Sequence, residues 1–309
     1  MTPGPPRSGV LVVDKDAGPT SFDVVAIVRS RLGVRRVGHA GTLDPAASGV
    51  LPILISEATK LMPYLADQDK EYLVTLRLGV RTDTQDLTGR VLGESPVSVT
   101  RDQLDRAVRK FAGAIRQVPP MYSALHRAGR RLYELAREGV EVEREARQVM
   151  VHAITVETFT PPAVTLRIVC GKGTYVRTLA ADLGDALGCG AAVAHLIRLR
   201  VGPFVREAAV PLVEVRTSPP DTLWEKVQPP EAALAAWPTV SLDERGTRSF
   251  VNGQSAIVRR IPEPTARHVA VRGDDGTFLG VGEMVGRTAE VKPERIIHAD
   301  RPGTHVLRA

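Results

Sequence analysis

Apolar patterns of period 2 and period 3.6 succeed one another along this chain without settling into regular strand–helix alternation. That irregularity limits the fold more than any other feature. Steady alternation would build a doubly wound parallel sheet, whereas an irregular mixture builds an α+β fold. GVLVV (9–13) reads as a short buried strand. Thr20 or Ser21 caps a helix with Phe22, Val25, Val28 and Leu32 at helical spacing, and Gly33 stops it. Residues 38–49, GHAGTLDPAASG, form a loop by their Gly, Pro, Ser and Asp content. A strand VLPILI (50–55) follows, then a short helix near 57–66. Tyr72, Val74, Leu76 and Leu78 share one face of a strand over 71–79, and 101–113 reads as helix. Two further strands cover 148–158 and 163–170, the second with Val164, Leu166, Ile168 and Cys170 on one face. Thr174 is placed to cap a helix whose stripe is Val176, Leu179, Ala180, Leu183 and Leu187, with Gly188 as its stop.

Proline pairs at 219–220 and 229–230, with Trp237-Pro238 just beyond, suggest a domain boundary. After it the pattern changes, and 269–284 reads as a hairpin around Asp275-Gly276. The expected organisation is a large domain over 1–237 and a small β-rich domain over 238–309. A length of 309 residues suits that division and supplies a real core without disulfide or metal staples. Cys170 and Cys189 are too few for a disulfide scaffold or a four-ligand zinc site, and both are expected reduced, in a cytoplasm. The opening MTPGPPRSG lacks the apolar core of a signal peptide, and VLPILI is too short to span a bilayer.

The net charge of +6 is mild but lopsided in kind, with 7 Lys against 34 Arg. Arginine suits bidentate phosphate contacts. Genomic base composition or thermal adaptation explains the same bias, so the charge alone does not make an RNA binder. Its placement is uneven: nine Arg/Lys against three Asp/Glu over 101–137, then four Glu against one Arg over 138–145. This basic stretch, about 101–147, reads either as a solvated face or as a contact for RNA phosphates.

P-loop, GxGxxG, HExxH and GxSxG motifs are missing, and the seven His lack metal-ligand spacing, so no cofactor and no metal are expected. What remains is the 38–49 loop, where Asp44 precedes Pro45 among small residues. A second feature is GKGTYVR (171–177), a Gly-rich turn opening a helix. Arg177 in a first helical turn opposes the helix dipole, and a nearby carboxylate would compensate. Asp44 is the natural candidate. The plainer alternatives are a turn-capping Asp and a surface Arg.

These residues stand in a recognisable frame. VLVVDKDAGPTSFDVV, RVGHAGTLDPAASGVLPI, KEYLVTLRLGVRTDTQDLTG, QVPPMYSALHRAGRRLYELAREG, GKGTYVRTLAADLG and HLIRLRVGPF occur in this order. The chain thereby resembles the TruB family of tRNA pseudouridine synthases, bacterial stand-alone type, over nearly its whole length. VGEMVGRTAEVKPERIIH resembles the closing segment of the PUA-like domains attached to these enzymes. The resemblance implies a pseudouridine synthase catalytic fold, with a mixed, mainly antiparallel sheet flanked by helices. A small C-terminal PUA-like β-barrel over 238–309 would contact the tRNA acceptor end.

By matching positions, Asp44 is the catalytic aspartate and Tyr72 the aromatic residue that stacks on the target base. Tyr175 and Arg177 are the active-site tyrosine and the arginine paired with the aspartate. His39 lies near the flipped-out nucleotide, Leu196 contacts the base, and Lys60 is a basic residue close to the site. Asp16, Gly171, His126 and Ile197 depart from the family's usual residues, outside the set of Asp44, Tyr72, Tyr175 and Arg177. The implied activity is cofactor-free isomerisation of uridine-55 in the tRNA T-loop, on a base taken out of its stack. The implied partner is tRNA, through its T-arm and T-loop. No membrane and no guide RNA are expected, the protein acting as a monomer, with tRNA-folding chaperone activity as an additional role.

Overall fold

The computed structural model describes residues 7–123, 125–127, 129–261, 266–286 and 288–298. A ten-stranded mixed sheet carries most of the chain. Its central path runs Val210–Pro211, Gly9–Lys15, Ser48–Ile55, Ala191–Val201, Lys70–Leu78, Ala163–Cys170, Arg147–Thr160 and Gly113–Gln117. Val37–His39 pairs beside Ser48–Ile55, and Phe204–Val205 beside Ala191–Val201. The ladders are antiparallel except two, Gly9–Lys15 with Val210–Pro211 and Ala191–Val201 with Ser48–Ile55. Helices Ser21–Leu32, Arg101–Lys110 and Val176–Ala186 pack on this sheet, giving the α+β architecture that irregular patterning predicts.

The alternation of Tyr72, Val74, Leu76 and Leu78 buries one face of its strand, and Val164 to Cys170 does likewise. The first helix begins at a reciprocal cap. Thr20 Oγ1 accepts from the Asp23 amide, and the Asp23 carboxylate accepts from the Thr20 amide. It ends at Gly33, whose left-handed φ of 64° favours glycine.

Four expectations are corrected. Phe22 is 58% exposed, because Ser21, Val24, Val25, Val28 and Leu32 form the buried stripe instead. Thr174 does not cap the Val176–Ala186 helix: its hydroxyl turns back to the Gly171 carbonyl, and Tyr175 occupies the cap position. The expected loop at 38–49 is narrowed from both ends, since Val37–His39 and Ser48–Ile55 are strands. The 101–113 helix stops at Lys110, and Gly113 already opens the edge strand.

A second sheet of five strands follows residue 238, in the order Thr239–Ser241, His268–Arg272, Phe278–Met284, Glu290–Ile296 and Ala256–Ile257, and it curls into a half-barrel. Its central hairpin turns at Gly273–Thr277, around the expected Asp275-Gly276. This sheet does not hang from a free linker. Phe278, Val281 and Ile297 share one core with Val12, Val50 and Leu54 of the large sheet. Both cysteines are buried and free, and burial pushes the Cys170 thiol up to about 11. Among the described residues no helix is long and apolar enough to cross a membrane.

Candidate active site

Asp44 lies between the Val37–His39 and Ser48–Ile55 strands, in a turn closed by the Ala47 amide donating to the Asp44 carbonyl at 3.0 Å. Neighbouring residues hold this loop by its backbone. Ser21, fixed at the start of its capped helix, accepts from the Leu43 amide at 2.9 Å and donates to the Leu43 carbonyl at 3.0 Å. Lys15, fully buried at its strand end, spends three donors on the carbonyls of Asp16 (2.9 Å), Pro19 (2.9 Å) and Pro45 (3.2 Å). Arg198, 1% exposed, donates to the carbonyls of Val50 (2.7 Å), Thr42 (3.3 Å) and Gly41 (3.1 Å). Each charge-assisted bond of this kind contributes about 1.5–3 kcal/mol, so the loop is a fixed platform.

Arg198 reaches the loop because its strand lies parallel to Ser48–Ile55 in tight contact. Gly49, at φ 108°, sits against the Arg198 backbone, and a Cβ there would lie 2.2 Å from the Arg198 carbonyl oxygen. On the other side of the same strand, Arg198 pairs with Tyr72 and Leu196 with Val74. The register therefore brings Tyr72, Leu196 and Arg198 together under Asp44.

Arg177 enters from the first turn of the Val176–Ala186 helix. Its Nε donates to Asp44 Oδ2 at 2.7 Å, Nη1 to the Thr84 carbonyl at 2.7 Å and Nη2 to the Tyr122 carbonyl at 2.8 Å. The guanidinium is buried, while the Asp44 side chain remains 38% exposed. One carboxylate oxygen is thus anchored and the group still faces a cavity of about 320 Å³. Asp44, Tyr72, Tyr175, Arg177 and Leu196 all line that cavity, joined by Lys70 and Arg198.

Two expected residues stand apart from it. His39 sits on the neighbouring strand with its ring edge-on to Phe22, centroids 5.4 Å apart. Burial and then Arg198 lower its pKa, which favours the neutral imidazole. Lys60 is spent on Glu57 and on the Ile296 carbonyl at 2.8 Å, tying the large sheet's periphery to the C-terminal sheet.

The surroundings are strongly cationic. Lys15, Lys70, Arg177 and Arg198 are all buried polar residues gathered near Asp44. Burial lowers Lys15 and Lys70 to about 8, with Asp44 partly restoring the charge of Lys15 and Arg198 adding to the loss at Lys70. Such a concave positive site attracts a polyanion. Burial also pushes the Tyr72 and Tyr175 phenols up, so both stay protonated at neutral pH. Lys15, Lys70 and Arg198 were missed as site residues in the sequence, although inward alternation from Leu196 points Arg198 to the same face.

Three family models cover this chain in succession. The TruB family pseudouridylate synthase N-terminal domain matches residues 29–176. The tRNA pseudouridylate synthase B C-terminal domain matches 177–235, and the pseudouridine synthase II TruB C-terminal model matches 238–297. The chain belongs to the TruB family of pseudouridylate synthases. It is 43% identical over 297 residues to the tRNA pseudouridine synthase B of Pseudomonas paraeruginosa, covering 94% of this chain and 96% of that protein. The tRNA pseudouridine synthase B of Ralstonia pickettii is 42% identical over 307 residues, covering 95% and 96%. Among solved structures, a chain of a Cbf5–Nop10–Gar1 complex superposes with a TM-score of 0.73 at 26% identity, covering 94% of this chain and 85% of that one.

Proposed function

We propose that this enzyme isomerises uridine-55 in the T-loop of tRNA to pseudouridine, with Asp44 as nucleophile. The C1′–N1 bond breaks, the uracil turns, a C1′–C5 bond forms, the C5 proton is lost, and N1 takes up a proton in exchange. Electrons balance within the nucleotide, so no redox partner or group donor is required. A carboxylate nucleophile divides one difficult step into two easier ones. One observation carries the reading: Asp44 is pinned by Arg177 yet half open to a base-sized cavity floored by Tyr72 and Leu196. Attack at C1′ or at C6 is compatible with that geometry.

Tyr72 offers its ring to the extruded uracil, a contact of about 1–3 kcal/mol, and Leu196 packs beside it. Tyr175 bounds the same cavity. His39, neutral and braced by Phe22, fills the space the base leaves. Lys60, matched by position to a basic residue close to the site, ties the large sheet's periphery to the C-terminal sheet. Residues 1–237 are the catalytic part, and 238–309 a PUA-like part contacting the acceptor end. The exposed Arg106, Arg109, Lys110 and Arg116 of the basic insertion lie along T-arm phosphates. The protein acts as a cytoplasmic monomer without guide RNA. A tRNA-remodelling role that needs no chemistry is a second reading, favoured by the same basic surface.

The test incubates pure protein with an isolated T-arm hairpin. Wild type is expected to form pseudouridine unaided, and Asp44→Asn to bind the hairpin equally and form none. Product that appears only after a guide RNA is added overturns the stand-alone reading. Normal product from Asp44→Asn removes Asp44 as nucleophile.

A further inference from the structure

Tyr175 occupies the cap position of the Val176–Ala186 helix, and its side chain makes no capping bond there. Its peptide groups are held from elsewhere. Gln117, 2% exposed at the end of the edge strand Gly113–Gln117, accepts from the Tyr175 amide through Oε1 at 3.0 Å. Its Nε2 donates to the Tyr175 carbonyl at 3.2 Å. One primary amide thus pairs with both polar groups of one residue, as a neighbouring strand would. The Tyr175 carbonyl also accepts the first intrahelical bond, from the Leu179 amide at 3.0 Å, so Gln117 fixes the point from which the helix starts.

Two residues on is Arg177, the anchor of Asp44. The chain that leaves Gln117 supplies the Tyr122 carbonyl to Arg177, and Ser123 to the cavity wall. The basic insertion is therefore tied into the catalytic machinery by a buried amide.

We propose that Gln117 is a positioning residue for the reaction, acting through Tyr175 and Arg177 on the aim of Asp44. This rests on the isomerase reading above. Gln117 touches no reacting atom. A buried site needing both a donor and an acceptor discriminates glutamine from glutamate by protonation alone. A neutral carboxyl group presents the same donor–acceptor pair, whereas a carboxylate meets the Tyr175 carbonyl with like polarity. Displacements near 1 Å in an oriented site cost up to about 10²-fold in rate.

The experiment measures single-turnover pseudouridine formation and tRNA affinity, from pH 5.5 to 8, for the full-length wild type, Gln117→Leu and Gln117→Glu. Gln117→Leu is expected to react about 10- to 100-fold more slowly at every pH, with tRNA Kd within about twofold of wild type. Gln117→Glu is expected to match that loss at pH 8 and to recover at least about fivefold, relative to wild type, at pH 5.5. A merely structural role would not produce that pH-dependent rescue. Wild-type rates in both variants overturn the proposal, as does a Gln117→Glu deficit that stays constant with pH. A Kd that rises in step with the rate loss also overturns it. A wild type that forms no product defeats the isomerase reading itself, and this role with it.

Discussion

Replacing Arg177 by Met tests how firmly Asp44 must be held. The substitution removes three bonds at once, to Asp44, Thr84 and Tyr122. Breaking a buried ion pair by deleting one partner costs about 3–5 kcal/mol. The Asp44 side chain is 38% exposed, so water screens part of that, leaving about 2–4 kcal/mol. If that free energy is what keeps the carboxylate in its reactive orientation, the rate constant falls by about 30- to 900-fold. Arg177→Lys keeps the charge but loses the planar fork and should fall between. The assay follows tritium release from tRNA carrying 5-tritiated uridine under single-turnover conditions, because the C5 hydrogen leaves as the C1′–C5 bond forms. tRNA affinity and melting temperature are measured alongside. A folded Arg177→Met enzyme within threefold of the wild-type rate would refute the anchoring argument.

Two further outcomes are expected. Lys15 and Lys70 sit at about 8, against 10.5 for an unperturbed lysine. The unfolded chain thus holds more protons than the folded one between pH 8 and 10.5, and their contribution to stability rises with pH across that window. Denaturant midpoints should show the stability slope of Lys70→Met reduced there by up to about 1.4 kcal/mol per pH unit, and equal slopes would contradict the buried-lysine account. Neutralising Arg106, Arg109, Lys110 and Arg116 should weaken tRNA binding and flatten its log–log salt dependence, by up to about 0.7–0.9 for each phosphate no longer neutralised. An unchanged slope would separate the insertion from the RNA.

The parts legible in the sequence are those set by local chemistry. The period of Tyr72 to Leu78 and the cap at Thr20 needed no tertiary context. Asp44 and Arg177 could be paired because a first-turn arginine calls for a carboxylate and the loop offers one. The failures are tertiary. Phe22 fits a helical stripe, but the Ser21 hydroxyl is taken up by Leu43, which rotates the buried face past it. Arg198 and Lys15 look like surface charges, and their partners are backbone carbonyls that only the folded chain brings near. Lys60 resembles a site residue by position, yet the C-terminal sheet claims it. Gln117 carries no local signal, since its partner peptide is 58 residues away.

The Ala191–Val201 strand lies between Ser48–Ile55 and Lys70–Leu78, although it is made long after both. A growing chain therefore carries a gap in the middle of its sheet, with two unpaired strand edges, from the time residue 78 is made until residues 191–201 follow. Pairings of such long sequence separation form slowly and leave edges open to aggregation. Until that strand slides in, Tyr72 has no partner on that side and the Asp44 loop lacks Arg198 beneath it. The support beneath Asp44 is thus completed only once the chain has been made as far as Arg198, long after Asp44 itself.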